Sequence, residues 1–216
     1  MISNNFKKRL FTSIILLLVF FLTLKFDFIL ISTFLIFSIF SILEFFELIK
    51  KITKKGSYRL LANIFFIFYI FLFSTIFISF SVFDQIKFIF FTLLLACVFS
   101  DIGGYIFGKI FKGPKLTKIS PKKTLSGSLG SLILTSMFMS CTYLFFLNYF
   151  SLKIVLISII ISISCQFGDL FFSKLKRMAK IEDTGNFLPG HGGVLDRIDG
   201  ILLGVPVGFL TLIIIF

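Results

Sequence analysis

Apolar and polar positions along the chain fall into long blocks. Seven apolar runs, roughly 10–24, 28–43, 60–80, 88–108, 128–147, 154–172 and 200–216, are separated by short charged connections. A helix needs about 20 residues to cross the hydrocarbon core of a bilayer. The first, second and last runs are short and must form tighter hairpins or borrow flanking residues. The pattern predicts an all-α, polytopic integral membrane protein with about seven transmembrane helices. The first run follows Lys7, Lys8 and Arg9, as a signal peptide would. It lacks a small-x-small cleavage site, and Lys25 and Asp27 lead straight into the next run, so a retained anchor is expected.

Composition agrees with this reading. The 216 residues are 57% hydrophobic with a mean hydropathy of +1.07, which excludes a soluble globular domain and a disordered chain. The net charge of +12 would suggest nucleic acid in a soluble protein. Here its distribution gives another cause. Alternate connections, beginning with the N-terminal one, hold three, five, six and five basic residues, while Lys25, Lys87 and Lys153 stand alone in the connections between. The positive-inside rule then puts the N-terminus and the basic loops in the cytoplasm, and no nucleic-acid partner is needed. Cys97, Cys141 and Cys165 each lie inside an apolar run, far from one another and from the lone His191. They are expected to be small buried apolar residues, not a disulfide framework or a zinc site. Glu44 and Glu47 precede a basic run and are expected at a solvated helix end.

Residues 1–90 carry no motif and are expected to be an N-terminal scaffold of helices; residues 91–216 are the expected catalytic region, with cytoplasmic loops at 109–127 and 173–199. Five of the ten acidic residues, Asp169, Glu182, Asp183, Asp196 and Asp199, fall within 169–199, together with His191, Lys176, Arg177, Lys180 and Arg197. An acidic residue near membrane depth, as Asp169 is, is a functional candidate by default. Carboxylates beside lysine and arginine suit a divalent cation and phosphate oxygens, the combination that phosphoryl or nucleotidyl transfer requires. Gly190, Gly192 and Gly193 can take positive φ and bring N–H groups to a ligand. In the first loop Lys122, Lys123, Thr124 and Ser126 suit an anion, as does a helix start near Ser126. Asp199 has a plain alternative as a cap for the last helix, and Arg197 as an ion-pair partner of Asp196 or Asp199.

The order Asp101-x-Gly-Gly-Tyr105, Ser120-Pro-Lys-Lys-Thr124, Ser173-x-x-Lys176-Arg177, Asp183-x-Gly185, Pro189-Gly-His-Gly-Gly193 and Asp196-Arg-x-Asp199 resembles the signature of phosphatidate cytidylyltransferases (CDP-diacylglycerol synthases) across about residues 96–204. The resemblance implies an Mg²⁺-dependent nucleotidyltransferase of phospholipid biosynthesis. It would join CTP to phosphatidate, giving CDP-diacylglycerol and pyrophosphate, as a multi-pass protein of the cell (inner) membrane. It further implies a homodimer and a second, monovalent cation. Carried over by motif, Asp169 and Asp196 are the metal-binding carboxylates, with Ser173 and Lys176 beside them in the catalytic centre. Arg177, His191, Gly192, Gly193, Arg197, Lys122, Lys123 and Thr124 are the expected substrate-binding residues. Glu182, Gly200, Ser126 and Ile102 depart from the family's usual Lys, Ser, Glu and Thr or Ser. Serine at position 126 removes any catalytic acid there. A CTP-dependent lipid or polyprenol kinase is the alternative. A transporter fits less well, because the run at 60–80 carries no charge and the acidic cluster lies at one edge.

Overall fold

The computed structural model describes residues 4–216 other than Leu188 and His191, with side chains described from Leu10 onward. The described residues form α1 (Asn4–Lys25), α2 (Asp27–Ile52), α3 (Gly56–Ser81), α4 (Asp84–Phe111), α5 (Leu125–Leu147), α6 (Leu152–Met178), the single turn α7 (Leu195–Ile198) and α8 (Ile201–Ile215). Among them there is no strand, only an isolated antiparallel bridge between Lys115 and Thr124. Helices α2 to α6 and the stretch Leu195–Ile215 are long and apolar enough to cross a membrane, and Leu10–Lys25 is a shorter apolar helix. The all-α, polytopic expectation therefore holds. Phe28, Phe145 and Ile214 are 81%, 80% and 80% exposed, which suits a surface covered by lipid and not by water.

The helices outrun their apolar blocks. α2 continues to Ile52, α4 to Phe111 and α6 to Met178, each closing on basic residues: Lys50 and Lys51, Lys109, and Lys176 with Arg177. Lysine and arginine are good helix formers, and cations in a last turn meet the negative end of the helix dipole. The loops are shorter as a result. The expected loop 109–127 is reduced to 112–124. Ser173, Lys176 and Arg177, expected on a loop, stand on helix α6.

The chain divides into two compact units. The first comprises Met1–Asp84 and Leu175–Ile198, so α7 and its preceding loop belong with α1 to α3. Within it α2 packs against α1, α3 and α7. A single extended residue, Phe26, separates α1 from α2. Phe45 stacks on Phe66 and Phe34 on Phe77, with ring centroids 3.9 and 4.0 Å apart, and the Ser38 and Ser74 hydroxyls meet at 2.7 Å.

The second unit comprises Gln85–Lys174 and Asp199–Phe216. In lipid, helix association rests on close packing and interhelical hydrogen bonds, each bond worth about 0.6 kcal/mol. Both devices are present. The Ser100 and Ser162 hydroxyls bond α4 to α6 at 2.8 Å, and the Ser131 hydroxyl on α5 donates to the Ser100 carbonyl at 2.7 Å. Gly103 lies so close to Gly130 that a Cβ would stand 2.5 Å from its carbonyl oxygen; one on Gly130 would overlap the Phe107 side chain. Cys97 and Cys165 are buried as expected, but Cys141 is exposed on α5, because its run presents only a narrow face to the other helices.

Candidate active-site residues

The second unit builds its polar cluster from the loop between α4 and α5. Ser120-Pro121-Lys122-Lys123 forms a turn in which the Lys123 N–H donates to the Ser120 carbonyl at 3.1 Å, with proline in its favoured second position. The strand-like flanks are tied by Leu116 N–H to Lys123 carbonyl at 2.8 Å and Leu125 N–H to Pro114 carbonyl at 2.9 Å. Thr124 then caps α5, its hydroxyl accepting from the Gly127 N–H at 3.1 Å. Ser126, where the resemblance leads one to expect a carboxylate, accepts from the Gly113 N–H at 3.2 Å and pairs with the Thr124 hydroxyl at 3.0 Å. It anchors the loop locally.

This loop carries Lys123 to Asp169 on α6, where the ammonium pairs with Oδ2. One turn further along α6, the Ser173 hydroxyl donates to Asp169 Oδ1 at 3.2 Å. Gly168 lets α6 come against the backbone of Asp199 and Gly200; a Cβ there would stand 2.6 Å from the Asp199 carbonyl oxygen. Lys122, Lys123, Thr124 and Asp169 line a cavity of about 300 Å³ together with Asp101 and Gln166. Gln166 is itself held by Ser128 and Ser162 at 2.5 and 3.3 Å. Both members of the ion pair are about one-quarter exposed, at 26% and 28%.

The first unit builds the other cluster. α6 ends in a Schellman motif: Ile181 N–H reaches the Lys176 carbonyl at 3.0 Å and Lys180 N–H the Arg177 carbonyl at 3.1 Å, with Lys180 left-handed at φ 56°. The chain then turns back so that Lys176 Nζ donates to Asp196 Oδ1 at 2.7 Å. Asp196 Oδ2 accepts the N–H groups of Thr184 and Gly193 at 2.8 and 3.0 Å. Three donors, one of them a cation, favour the ionised carboxylate. Its side chain is only 4% exposed, and that of Lys176 13%.

The glycines of this segment serve different ends. Gly190 and Gly192 take φ of 80° and 86°, the positive values expected of them. Gly193 does not. It is glycine because a Cβ would fall on the Thr184 hydroxyl and the Glu44 carboxylate. Glu44 is the main residue that sequence reasoning misplaced. It is 6% exposed, not solvated, because it lies on the face of α2 that also buries Ser41, Phe45 and Leu48. Glu47, on another face, is exposed as expected. Asp199 is buried and accepts from the Gly200 N–H at 2.9 Å, while Gly200 itself occupies the N-cap of α8 without a side-chain cap. Arg177 and Arg197 are exposed, and His191 lies outside the described residues.

The structure therefore joins Lys123, Thr124, Asp169 and Ser173 in one cluster, and Lys176, Gly192, Gly193 and Asp196 in the other. Among the described residues no three acidic, histidine or cysteine side chains converge on one point. Mg²⁺ needs no such cage, since it takes one or two carboxylates and completes its octahedron with water and phosphate oxygens. Asp169, a quarter exposed and lining the cavity, has the oxygen donors that such an ion takes.

A sequence model described as the cytidylyltransferase family matches residues 1–215. Relatives named phosphatidate cytidylyltransferase are similar to this chain. One from Helicobacter pylori is 42% identical over 112 residues, covering 52% of this chain and 42% of the relative. One from Mycobacterium leprae is 39% identical over 123 residues, covering 56% and 39%. One from Rickettsia felis is 44% identical over 132 residues, covering 56% and 58%. The chain spans about half the length of these relatives.

Proposed function

We propose that this chain, which belongs to the cytidylyltransferase family, transfers the cytidylyl group of CTP to phosphatidate. The observation that carries this reading is the pairing of both expected metal-binding carboxylates with a lysine, Asp169 with Lys123 and Asp196 with Lys176. Nucleotidyl transfer is chiefly a matter of positioning and of offsetting charge on phosphate oxygens, and it needs acids and bases side by side. A phosphatidate oxygen attacks the α-phosphorus of CTP in line. The bond from that phosphorus to the bridging oxygen breaks, and pyrophosphate leaves with the electron pair. The attacking oxygen is already an anion, so no general base is required, which suits a chain with one histidine.

Asp169 and Asp196 are the residues that would hold Mg²⁺, which when bound offsets charge on the phosphate oxygens. Lys123, a quarter exposed on its turn, is free to exchange Asp169 for a phosphate, and Lys122 and Thr124 line the same cavity. Lys176, with the exposed Arg177 and Arg197, supplies positive charge for the leaving pyrophosphate. The alternation of basic connections supports an N-terminus and charged loops facing the cytoplasm of the inner membrane, where CTP is soluble and the lipid head lies at the surface. The homodimer implied by the family resemblance belongs to the same reading.

The test is product identity. Purified protein in detergent receives radiolabelled CTP, phosphatidate and Mg²⁺. Label entering the lipid phase with equimolar pyrophosphate, and ceasing with EDTA, is the expected result. Release of CDP without label in lipid would replace the reading with that of a CTP-dependent lipid kinase.

A further inference from the structure

We propose that Glu44, on a helix outside the signature, is a positioning residue that sets Thr184 and the stretch 193–195 and through them Asp196; the claim rests on the proposed cytidylyl transfer for its functional meaning. Burying a carboxylate is costly unless donors meet it. Glu44 is met by three, and all come from Thr184 and that stretch. The Thr184 hydroxyl and the Leu195 N–H donate to Oε2 at 2.8 and 2.9 Å, and the Val194 N–H donates to Oε1 at 2.9 Å.

The same stretch of backbone serves Asp196 from its other side. Thr184 gives its hydroxyl to Glu44 and its N–H to Asp196. Gly193 gives its N–H to Asp196, and the next two N–H groups go to Glu44. The segment is clamped between two carboxylates. Two of its glycines follow from this contact. A Cβ on Gly185 would stand 2.6 Å from Glu44 Oε1, and one on Gly193 would fall on Oε2. An apolar residue at position 44 would fill the slot but leave the Val194 and Leu195 N–H groups without an acceptor. Position 44 therefore needs acceptor oxygens, and a carboxylate supplies two for the three donors of this segment. Partners of this indirect kind typically change activity by about 10- to 100-fold when removed.

Hydrogen exchange read by mass spectrometry, alongside cytidylyl-transfer kinetics, tests this on the full-length protein in detergent. In Glu44→Gln, peptides spanning 184–196 are expected to exchange about tenfold faster while those of α5 keep their wild-type rate. kcat is expected to fall about 10- to 100-fold, with KM for CTP within about twofold. Thr184→Val should share both effects and Thr184→Ser should restore both, which keeps the test open if the Gln variant does not fold. A merely structural role would speed exchange across the whole chain, α5 included. Wild-type exchange at 184–196, or wild-type kcat despite faster exchange there, overturns the proposal. Should the wild-type protein transfer no label at all, the cytidylyl reading falls. The exchange of the Thr184 and Gly193 amides then still decides whether Glu44 sets the donors of Asp196.

Discussion

Among the described residues each of the two units has a lysine–aspartate pair, and the two pairs are built differently. Lys176 and Asp196 are nearly closed off, with side-chain exposures of 13% and 4%, and Asp196 has three donors on its two oxygens. Lys123 and Asp169 are 26% and 28% exposed and line a cavity. The difference teaches what each pair can do. A closed pair, ringed by N–H groups, fixes a carboxylate in place. An open pair, a quarter exposed on its turn, holds its partners less firmly, as the proposed exchange of Asp169 for a phosphate oxygen needs.

The largest effect should come from breaking the closed pair on one side. Lys176→Met leaves Asp196 as a buried charge with only neutral donors, and stability should fall by about 3–5 kcal/mol, read as a lowered thermal midpoint in detergent, with turnover lost as well. The open pair should separate those two effects. Lys123→Met should lower turnover about 10²-fold, as loss of one charge-stabilising donor does, yet shift stability by less than about 1 kcal/mol. Equal stability losses in the two variants would erase the distinction. A third change probes the helices that carry the open pair. Gly130→Ala puts a methyl onto Phe107, and should cost about 1–3 kcal/mol without touching either pair. The smallest effect should come from Lys122→Ala. This exposed lysine faces the cavity, and its loss should raise KM for CTP about fivefold with kcat kept, the result of about 1 kcal/mol of uniform binding.

The contrast between the pairs also marks what could be read from sequence. Block hydropathy and alternating charge were enough for the all-α, polytopic fold, because both are set by the bilayer and need no partner residues. Depth in an apolar run marked Asp169 as a candidate, and the spaced motif marked Ser173, Lys176 and Asp196. Their pairings were not legible: Lys123 and Asp169 are 46 residues apart, and nothing local links them. Lys180 closes α6 in a left-handed conformation that glycine usually signals, so the helix end was read too early. Glu44 was misplaced because a short charge run after it, from Glu47 to Lys55, reads as a solvated end. The signal that could have found it is its place on the helix face of Ser41, Phe45 and Leu48. Gly103 lies in the Asp101-x-Gly-Gly-Tyr105 motif and Gly130 in none, but the packing role of both follows only from the approach of α4 to α5.

The central proposal is cytidylyl transfer that needs each of the two paired carboxylates. It is tested most directly by measuring label transfer from CTP to phosphatidate in Asp169→Asn and Asp196→Asn, beside wild-type protein and with membrane insertion checked for each. The account predicts that both variants insert normally and that each loses about 10³-fold or more of the wild-type rate. Near-wild-type transfer by either variant would remove that aspartate from the reaction and contradict the account.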